Sequence, residues 1–305
     1  MLKAKIFIST LLAIFILSAA GYHYDNTQAI ETTTDISAWQ PNKNTAIFAA
    51  YSTDGSVSDY VIDYLKALKE VAPNIIYITD NPIQRSALKK LQPYIKHIEA
   101  KRHGEYDWGS YKRGYQWLKQ KGYLTHINQL ILANDSALLV AKSLLPVFQK
   151  MPADADFYGI TANQDGTYHL QSYFLIFKPD VYKHPAFENY LNNVKAEKDG
   201  LTVAYRYEVP FTQYLENLGF KSDTYIPYET LAYLPLNDKS CYPLTLLSKH
   251  NMPFLKMRTF TNRLTVQESR RLLFHWLRKN APLAYKNLIQ HLKHINSPYL
   301  KENRS

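Results

Sequence analysis

Three hundred and five residues hold one large α/β domain with appendages, or two small domains. A chain 46% apolar and 20% charged is of ordinary globular composition, which excludes disorder or a coiled coil as the main class. The lone cysteine, Cys241, excludes a disulfide-stapled fold, and 10 glycines argue against a glycine-rich phosphate loop. The net charge of +10 is uneven: from Lys256 to Arg304 eleven Lys/Arg face Glu268 and Glu302, and the rest is nearly neutral. That disfavours a uniformly basic nucleic-acid binder and points to a basic appendage facing something anionic. The 25 tyrosines present apolar faces with polar tips, which suit a core and also wet, sugar-like ligands.

Lys3 and Lys5 precede an apolar run from Ile6 to Ala20, and Ser18-Ala19-Ala20 is a small-residue cleavage pattern. The run is shorter than the ~20 residues that cross a bilayer; with Gly21 and Tyr22 it becomes a marginal anchor. Residues 1–22 are therefore expected to be a signal peptide or signal anchor, leaving the body exported or membrane-associated. Residues 23–44 are polar and aperiodic and read as a stalk or linker.

In the body, residues 45–262, short apolar runs alternate with helical patterns. Strands are expected at Ala46–Ala50, Asn74–Thr79, Tyr94–Ile98 and Gln129–Ala133, with helices at Val57–Val71, Ile83–Leu91 and Trp108–Lys121. Such alternation predicts a wound, mostly parallel α/β sheet, whose ligands gather at the carboxyl ends of the strands. Those ends carry Ser52-Thr53-Asp54, Asp80, Arg102 and Asp135. Further strands are expected at Phe157–Thr161, Tyr168–Phe177 and Asp223–Ile226, with a helix from Pro210 to Leu218; Leu231–Asn262 has no clear period. In the basic tail, residues 263–305, Thr265-Val-Gln-Glu268 matches a capping box opening an amphipathic helix to about Lys279, and a second helix follows Pro282. Leu272, Leu273, Trp276 and Leu277 ringed by arginines would suit an anionic membrane surface or a helical pair packed on the core.

Asn134-Asp135-Ser136 ends a wholly apolar strand, where a carboxylate is costly unless it meets a cation or donors. In a nucleotide-sugar transferase that cation is a divalent metal on the departing diphosphate. Such sites usually carry two acids spaced by one residue; here Asn134 takes the first place. Glu208 stands just before Pro210, at the start of an expected helix, where it could deprotonate an acceptor hydroxyl or simply complement the helix dipole. His169 and Gln171, if on one strand, project to one face, opposite Leu170 and Ser172.

Together Tyr106-Asp-Trp-Gly-Ser-Tyr-Lys112, Leu130-Ile-Leu-Ala-Asn-Asp-Ser136, Asp156-Phe-Tyr-Gly-Ile160, His169-Leu-Gln-Ser-Tyr-Phe174, Tyr207-Glu208 and Pro253-Phe-Leu-Lys256 resemble the rhamnan synthesis F family of polysaccharide biosynthesis proteins. The resemblance covers about Ala46 to Phe260 and implies a GT-A-like fold and a glycosyltransferase of hexosyltransferase type. The implied partners are a nucleotide sugar, a Mg or Mn ion, and a glycan or lipid-linked acceptor in surface polysaccharide synthesis. Rhamnose is the candidate sugar. By resemblance Asp135 sits at the metal-diphosphate position and, with Glu208, is catalytic. Asp80, Arg102, Asp107, Asn134 and Ser136 lie around the nucleotide and donor, and His169, Gln171 and Ser172 line the sugar cleft. The chain departs from the family at His103-Gly104-Glu105, one residue shorter than usual, and in its apolar N-terminus. The alternative is a non-catalytic, exported glycan-binding protein that keeps the fold.

Overall fold

The computed structural model describes residues 27–33, 39–261 and 266–303. Its centre is an eight-stranded sheet. In chain order the strands are β1 (Ile30–Thr33), β2 (Lys43–Ala50), β3 (Asn74–Thr79), β4 (His97–Ala100), β5 (Ile127–Asn134), β6 (Phe157–Gly159), β7 (Phe174–Phe177) and β8 (Ser222–Thr224). Their spatial order is β8-β6-β7-β5-β2-β3-β4-β1. β4, β3, β2 and β5 are mutually parallel, β8 is parallel to β6, and β7 runs antiparallel between β5 and β6. The wound, mostly parallel sheet expected from the alternating pattern is observed.

β2 and β3 are apolar along most of their length because both faces of the sheet are covered. Alternation along β2 sends Ala46, Phe48 and Ala50 into one core and Ile47 and Ala49 into the other. Helix α1 (Asp59–Val71) covers the first face with Tyr60, Val61, Tyr64, Leu65 and Leu68. Helix α2 (Tyr106–Gln120) covers the second with Trp108, Tyr111, Tyr115 and Leu118. A two-stranded ribbon, Ala137–Leu139 with Phe254–Lys256, joins the segment after β5 to the last part of the body.

Several expectations are corrected. The third strand begins at His97 rather than Tyr94, because Tyr94 N–H still closes a turn onto Leu91 O at 2.9 Å. The run Tyr168–Phe177 is two strands, His169–Leu170 and β7, since the backbone between them turns to bond Glu208 and Thr161. Within the expected stalk, β1 pairs antiparallel with β4 as an edge strand. The stretch without clear period contains a helix, Pro243–His250, and Glu268 caps that helix. Its carboxylate accepts from Leu244 N–H (2.6 Å), Thr245 N–H (3.1 Å) and Thr245 Oγ1 (2.5 Å). Thr265 lies outside the described residues, and the N-cap of α4 (Arg270–Asn280) is Ser269, which accepts from Leu272 N–H.

α4 and the helix after it, α5 (Pro282–His294), bury Leu273, Phe274, Leu277, Leu288 and Leu292 in the main core. Of the expected apolar face, Leu273 and Leu277 are thus covered by protein and Trp276 is half-buried, whereas Leu272 is exposed along with Arg271, Arg278 and Lys279. Membrane attachment through the N-terminus is also corrected: among the described residues no helix is long and apolar enough to cross a membrane. The apolar run 6–22 itself lies outside those residues.

Gly114 packs α2 directly against Ile47 of β2. A Cβ there would lie 2.4 Å from Ile47 Cγ2, inside a side chain that is fully buried. Overpacking of this kind costs about 1–3 kcal/mol, more than the ~1 kcal/mol that alanine gains over glycine in a helix. Gly114→Ala should lower the melting temperature by several degrees, whereas a helix governed by propensity alone would be stabilised; thermal denaturation followed by circular dichroism distinguishes the two.

Candidate active site

The carboxyl ends of β2, β3 and β5 open into a cleft of about 420 Å³. It is lined by Ala49 to Tyr51, Asp80, Arg102, Tyr106, Asp107, the Asn134–Ser136 tripeptide and Gly200. A neighbouring hollow of about 520 Å³ shares Tyr51 and Asp135 and runs under Ser52–Ser58 to His291 and His294 of α5. The tripeptide after β5 is held from both sides. Asp135 N–H donates to Ala49 O (3.2 Å), its Oδ2 accepts from Tyr51 N–H (2.9 Å), and its carbonyl accepts from Tyr60 OH (2.9 Å).

Asn134 is the joint of the site. Its Oδ1 accepts from Ser136 N–H (3.1 Å) and Ser136 Oγ (2.6 Å), and its Nδ2 donates to Asp107 Oδ2 at 3.1 Å. The second acid beside Asp135 therefore comes from the first turn of α2 rather than from position 134. Burial pushes Asp107 up to about 6, with Glu208 adding to the rise, and pushes Asp135 up to about 7, with Asp107 adding to it. Asp107 thus feels Glu208, and Asp135 feels Asp107, in a small, poorly solvated space.

Glu208 reaches this group from a helix unlike the expected one. Helical backbone runs on from Gly200–Val203 through a π turn, Ala204–Glu208, into helix α3 (Val209–Glu216). The widened turn accommodates Pro210, which lacks an N–H and would press on a carbonyl one turn back in a regular helix. Glu208 therefore sits within a bulged helix, not ahead of a helix start. Its Oε1 accepts from Ser172 N–H at 2.9 Å, which fixes the carboxylate against the segment between the two strands.

Asp80 is buried at the end of β3, where Oδ1 accepts from His103 N–H (2.6 Å) and Gly104 N–H (2.8 Å), and Arg102 pairs with Oδ2 at 3.2 Å. The shortened His103-Gly104-Glu105 stretch is thus folded around this carboxylate. His103 is held down to about 4 by burial and by Arg113, so its ring is neutral at pH 7. Of the expected sugar-cleft residues, only Ser172 meets the carboxylates, through its N–H. His169 is buried with Nδ1 on Thr167 O (2.8 Å), and Gln171 Oε1 accepts from Thr161 Oγ1 (3.0 Å).

Three residues were not singled out as site residues from the sequence. Tyr51 and Tyr106 are exposed aromatic walls of the cleft, and Tyr106 holds the left-handed backbone (φ 56°) that a tyrosine rarely adopts. Lys256 lies with its ammonium 4.1 Å from the centre of the Tyr173 ring, and the charges of Glu208 and Asp107 act on it. Tyr106 and Lys256 stand inside the motifs that carried the family resemblance; Tyr51 had only its place one residue past β2.

The rhamnan synthesis protein F model matches residues 75–302. The chain belongs to that family. No curated protein matches the chain. Among solved structures it is similar to a cytidylyltransferase from Leptospira borgpetersenii (11% identity, 87% of this chain and 99% of that one, TM-score 0.42). It is also similar to a nucleotide-diphospho-sugar transferase from Desulfovibrio desulfuricans (14%, 80% and 98%, TM-score 0.40) and to core-mannan synthase A from Aspergillus fumigatus in a Mn/GDP form (12%, 61% and 70%, TM-score 0.33). At these TM-scores the likenesses carry no argument about activity.

Among the described residues no group of three or more His, Cys, Asp or Glu could hold a metal ion alone. Asp107 and Asp135 offer two carboxylates, which fits a hard divalent ion completed by phosphate oxygens rather than a closed protein cage. The raised carboxyls have a consequence for stability. Folded Asp107 and Asp135 hold protons more tightly than the unfolded chain, so their stabilising contribution is full below about pH 4 and is lost as pH rises through 6 and 7. Asp135→Asn, which keeps an oxygen for Tyr51 N–H, should therefore match wild type near pH 4 and exceed it by about 1–3 kcal/mol at pH 8. Urea denaturation at a series of pH values measures this; a gap that does not grow with pH contradicts it.

Proposed function

We propose that the protein is a glycosyltransferase. It takes a sugar, with rhamnose as the candidate, from a nucleotide-sugar donor and places it on a glycan or lipid-linked acceptor in surface polysaccharide synthesis. The observation that carries this reading is the pair Asp107 and Asp135 in the lining of one cleft, with the charge of Glu208 acting on Asp107, in a chain of the rhamnan synthesis family. The donor's diphosphate would lie in the cleft between the Asn134–Ser136 tripeptide and Arg102, its base or sugar against Tyr51 and Tyr106. Asp107 and Asp135 would hold a Mg or Mn ion, which supplies charge neutralisation on the diphosphate when bound.

Glu208 is the candidate base. With one oxygen pinned by Ser172 N–H, the other is left to take the proton of an acceptor hydroxyl. As that oxygen bonds to the anomeric carbon, the bond from carbon to phosphate oxygen breaks and the nucleoside diphosphate leaves. Asn134 contributes by holding Asp107 and Ser136 in fixed positions, so that little reorganisation is needed during reaction.

The two acids should fail differently. Asp135→Ala should weaken both nucleotide affinity and metal dependence. Glu208→Gln should leave nucleotide affinity near wild type and lower turnover ~10²–10⁴-fold, the usual worth of a general base. Calorimetric titration with nucleoside diphosphates plus Mn²⁺ or Mg²⁺, beside an assay of released nucleotide from a panel of nucleotide sugars, separates these cases. Wild-type protein that binds no nucleotide with either metal would overturn the transferase reading in favour of glycan binding without turnover.

A further inference from the structure

Lys256 has the placement of a ligand-binding cation and no structural partner of that strength. It ends the short strand Phe254–Lys256, directly opposite Ala137, and the following residue, Met257, donates its N–H to Ser136 O at 2.8 Å. The lysine is thereby fixed to the segment that carries Asp135 and Ser136 into the cleft. Its stem is half-buried and its ammonium lies over the face of Tyr173, whose hydroxyl bonds Thr161 Oγ1 at 3.1 Å. Other cations near the carboxylates are engaged: Arg102 pairs with Asp80, and Arg258 pairs with Asp238. Lys256 makes no ion pair with any described carboxylate, although Glu208, Asp238 and Asp107 act on it from a distance.

A half-buried ammonium packed on a ring face, with its carboxylates only at a distance, has given up hydration for a contact worth ~0.5–2 kcal/mol. A diphosphate faces the converse problem in this cleft, because Asp107, Asp135 and Glu208 repel it. Two carboxylates and one divalent ion leave the anion short of positive charge. A lysine is a compact point charge whose three donors reach several phosphate oxygens at once.

Building on the transferase reading, we propose that Lys256 is a phosphate-binding residue that contacts the diphosphate of the nucleotide-activated donor. Its amine is lowered to about 8 by burial, so it is still mostly charged at pH 7 and gains further from an incoming anion. Tyr173 acts as the platform that aims it.

Calorimetry of wild type, Lys256→Gln and Lys256→Arg with a nucleoside diphosphate, the matching nucleoside and inorganic pyrophosphate, all with Mg²⁺, tests this. Lys256→Gln should weaken nucleoside diphosphate and pyrophosphate binding ~10–100-fold and leave the nucleoside unchanged, while Lys256→Arg keeps most of the affinity. A second measurement needs no variant: in wild type, nucleoside diphosphate should protect Lys256 from amine acylation, read by mass spectrometry, and the nucleoside should not. Equal diphosphate affinity in wild type and a folded Lys256→Gln, or acylation unaffected by the diphosphate, overturns the proposal while leaving the transferase reading intact. Failure of wild type to bind any nucleotide overturns that reading first.

Discussion

Burial of Asp107 and Asp135 side by side in a poorly solvated space is the constraint on which the rest of the site depends. Loss of hydration is the main reason the two carboxyls sit near 6 and 7 instead of near 4, and a neighbouring carboxylate pushes each the same way, Glu208 for Asp107 and Asp107 for Asp135. Each is nevertheless held by donors: Trp108 N–H and Asn134 Nδ2 for Asp107, Tyr51 N–H for Asp135 and Ser172 N–H for Glu208. Neutral donors orient a carboxylate without cancelling its charge, so the cluster keeps its appetite for a cation. Asp80 shows the contrast. It lies two strands from Asp135, across β2, but Arg102 and two backbone N–H groups satisfy it, and it holds the loop after β4.

Such a cluster persists only where a rigid frame over-determines it. Four parallel strands packed on both faces supply that frame. The register of β5 against β2 places Asn134 beside Ala49, so Asp135 emerges where Tyr51 and the α1 residue Tyr60 can hold it. Close contact of Gly114 with Ile47 sets the depth of α2, and with it the position of Asp107 at the helix's first turn. The ribbon of Ala137–Leu139 with Phe254–Lys256 brings a basic residue from far along the chain to the same edge.

Much of this frame was legible in the sequence because parallel strands buried on both faces read as unbroken apolar runs. NIIYIT is β3 to the residue, and the acids after such runs fall at the cleft. What sequence could not give was the partner of each acid. Asn134 looked like a lost metal ligand, whereas its amide joins Asp107, 27 residues away, to Ser136. Glu268 looked like half of a local capping box, whereas it caps a helix 24 residues earlier. Glu208 looked like a helix-start residue because Pro210 favours first turns; a π turn lets the helix run through instead. In each case a short-range pattern was read correctly as polar capping chemistry, but tertiary contact chose the partner. Tyr51 carried even less signal, since an exposed tyrosine is an ordinary surface residue until packing places it, and Lys256 stood inside a resembling motif with nothing local to mark its role.

The fold also carries costs at the site. Tyr106 occupies a left-handed backbone conformation at the mouth of the cleft, a state worth roughly 1–3 kcal/mol of strain. Raised carboxyls withhold stability at neutral pH, and Lys256 holds its charge against burial. These costs share one remedy. On the proposed reading, a cation held by Asp107 and Asp135 would offset their mutual repulsion, and an anion beside Lys256 would restore what burial took from the ammonium. The two ligands would then favour each other, since the metal would lower the negative potential that the diphosphate must enter. Either one bound alone would leave the carboxylates or the lysine uncompensated. Thermodynamic linkage would make the coupling reciprocal, so that metal would tighten nucleotide by the same factor that nucleotide tightens metal. Metal binding would also release protons from Asp107 and Asp135 near neutral pH, because a divalent ion takes the ionised forms.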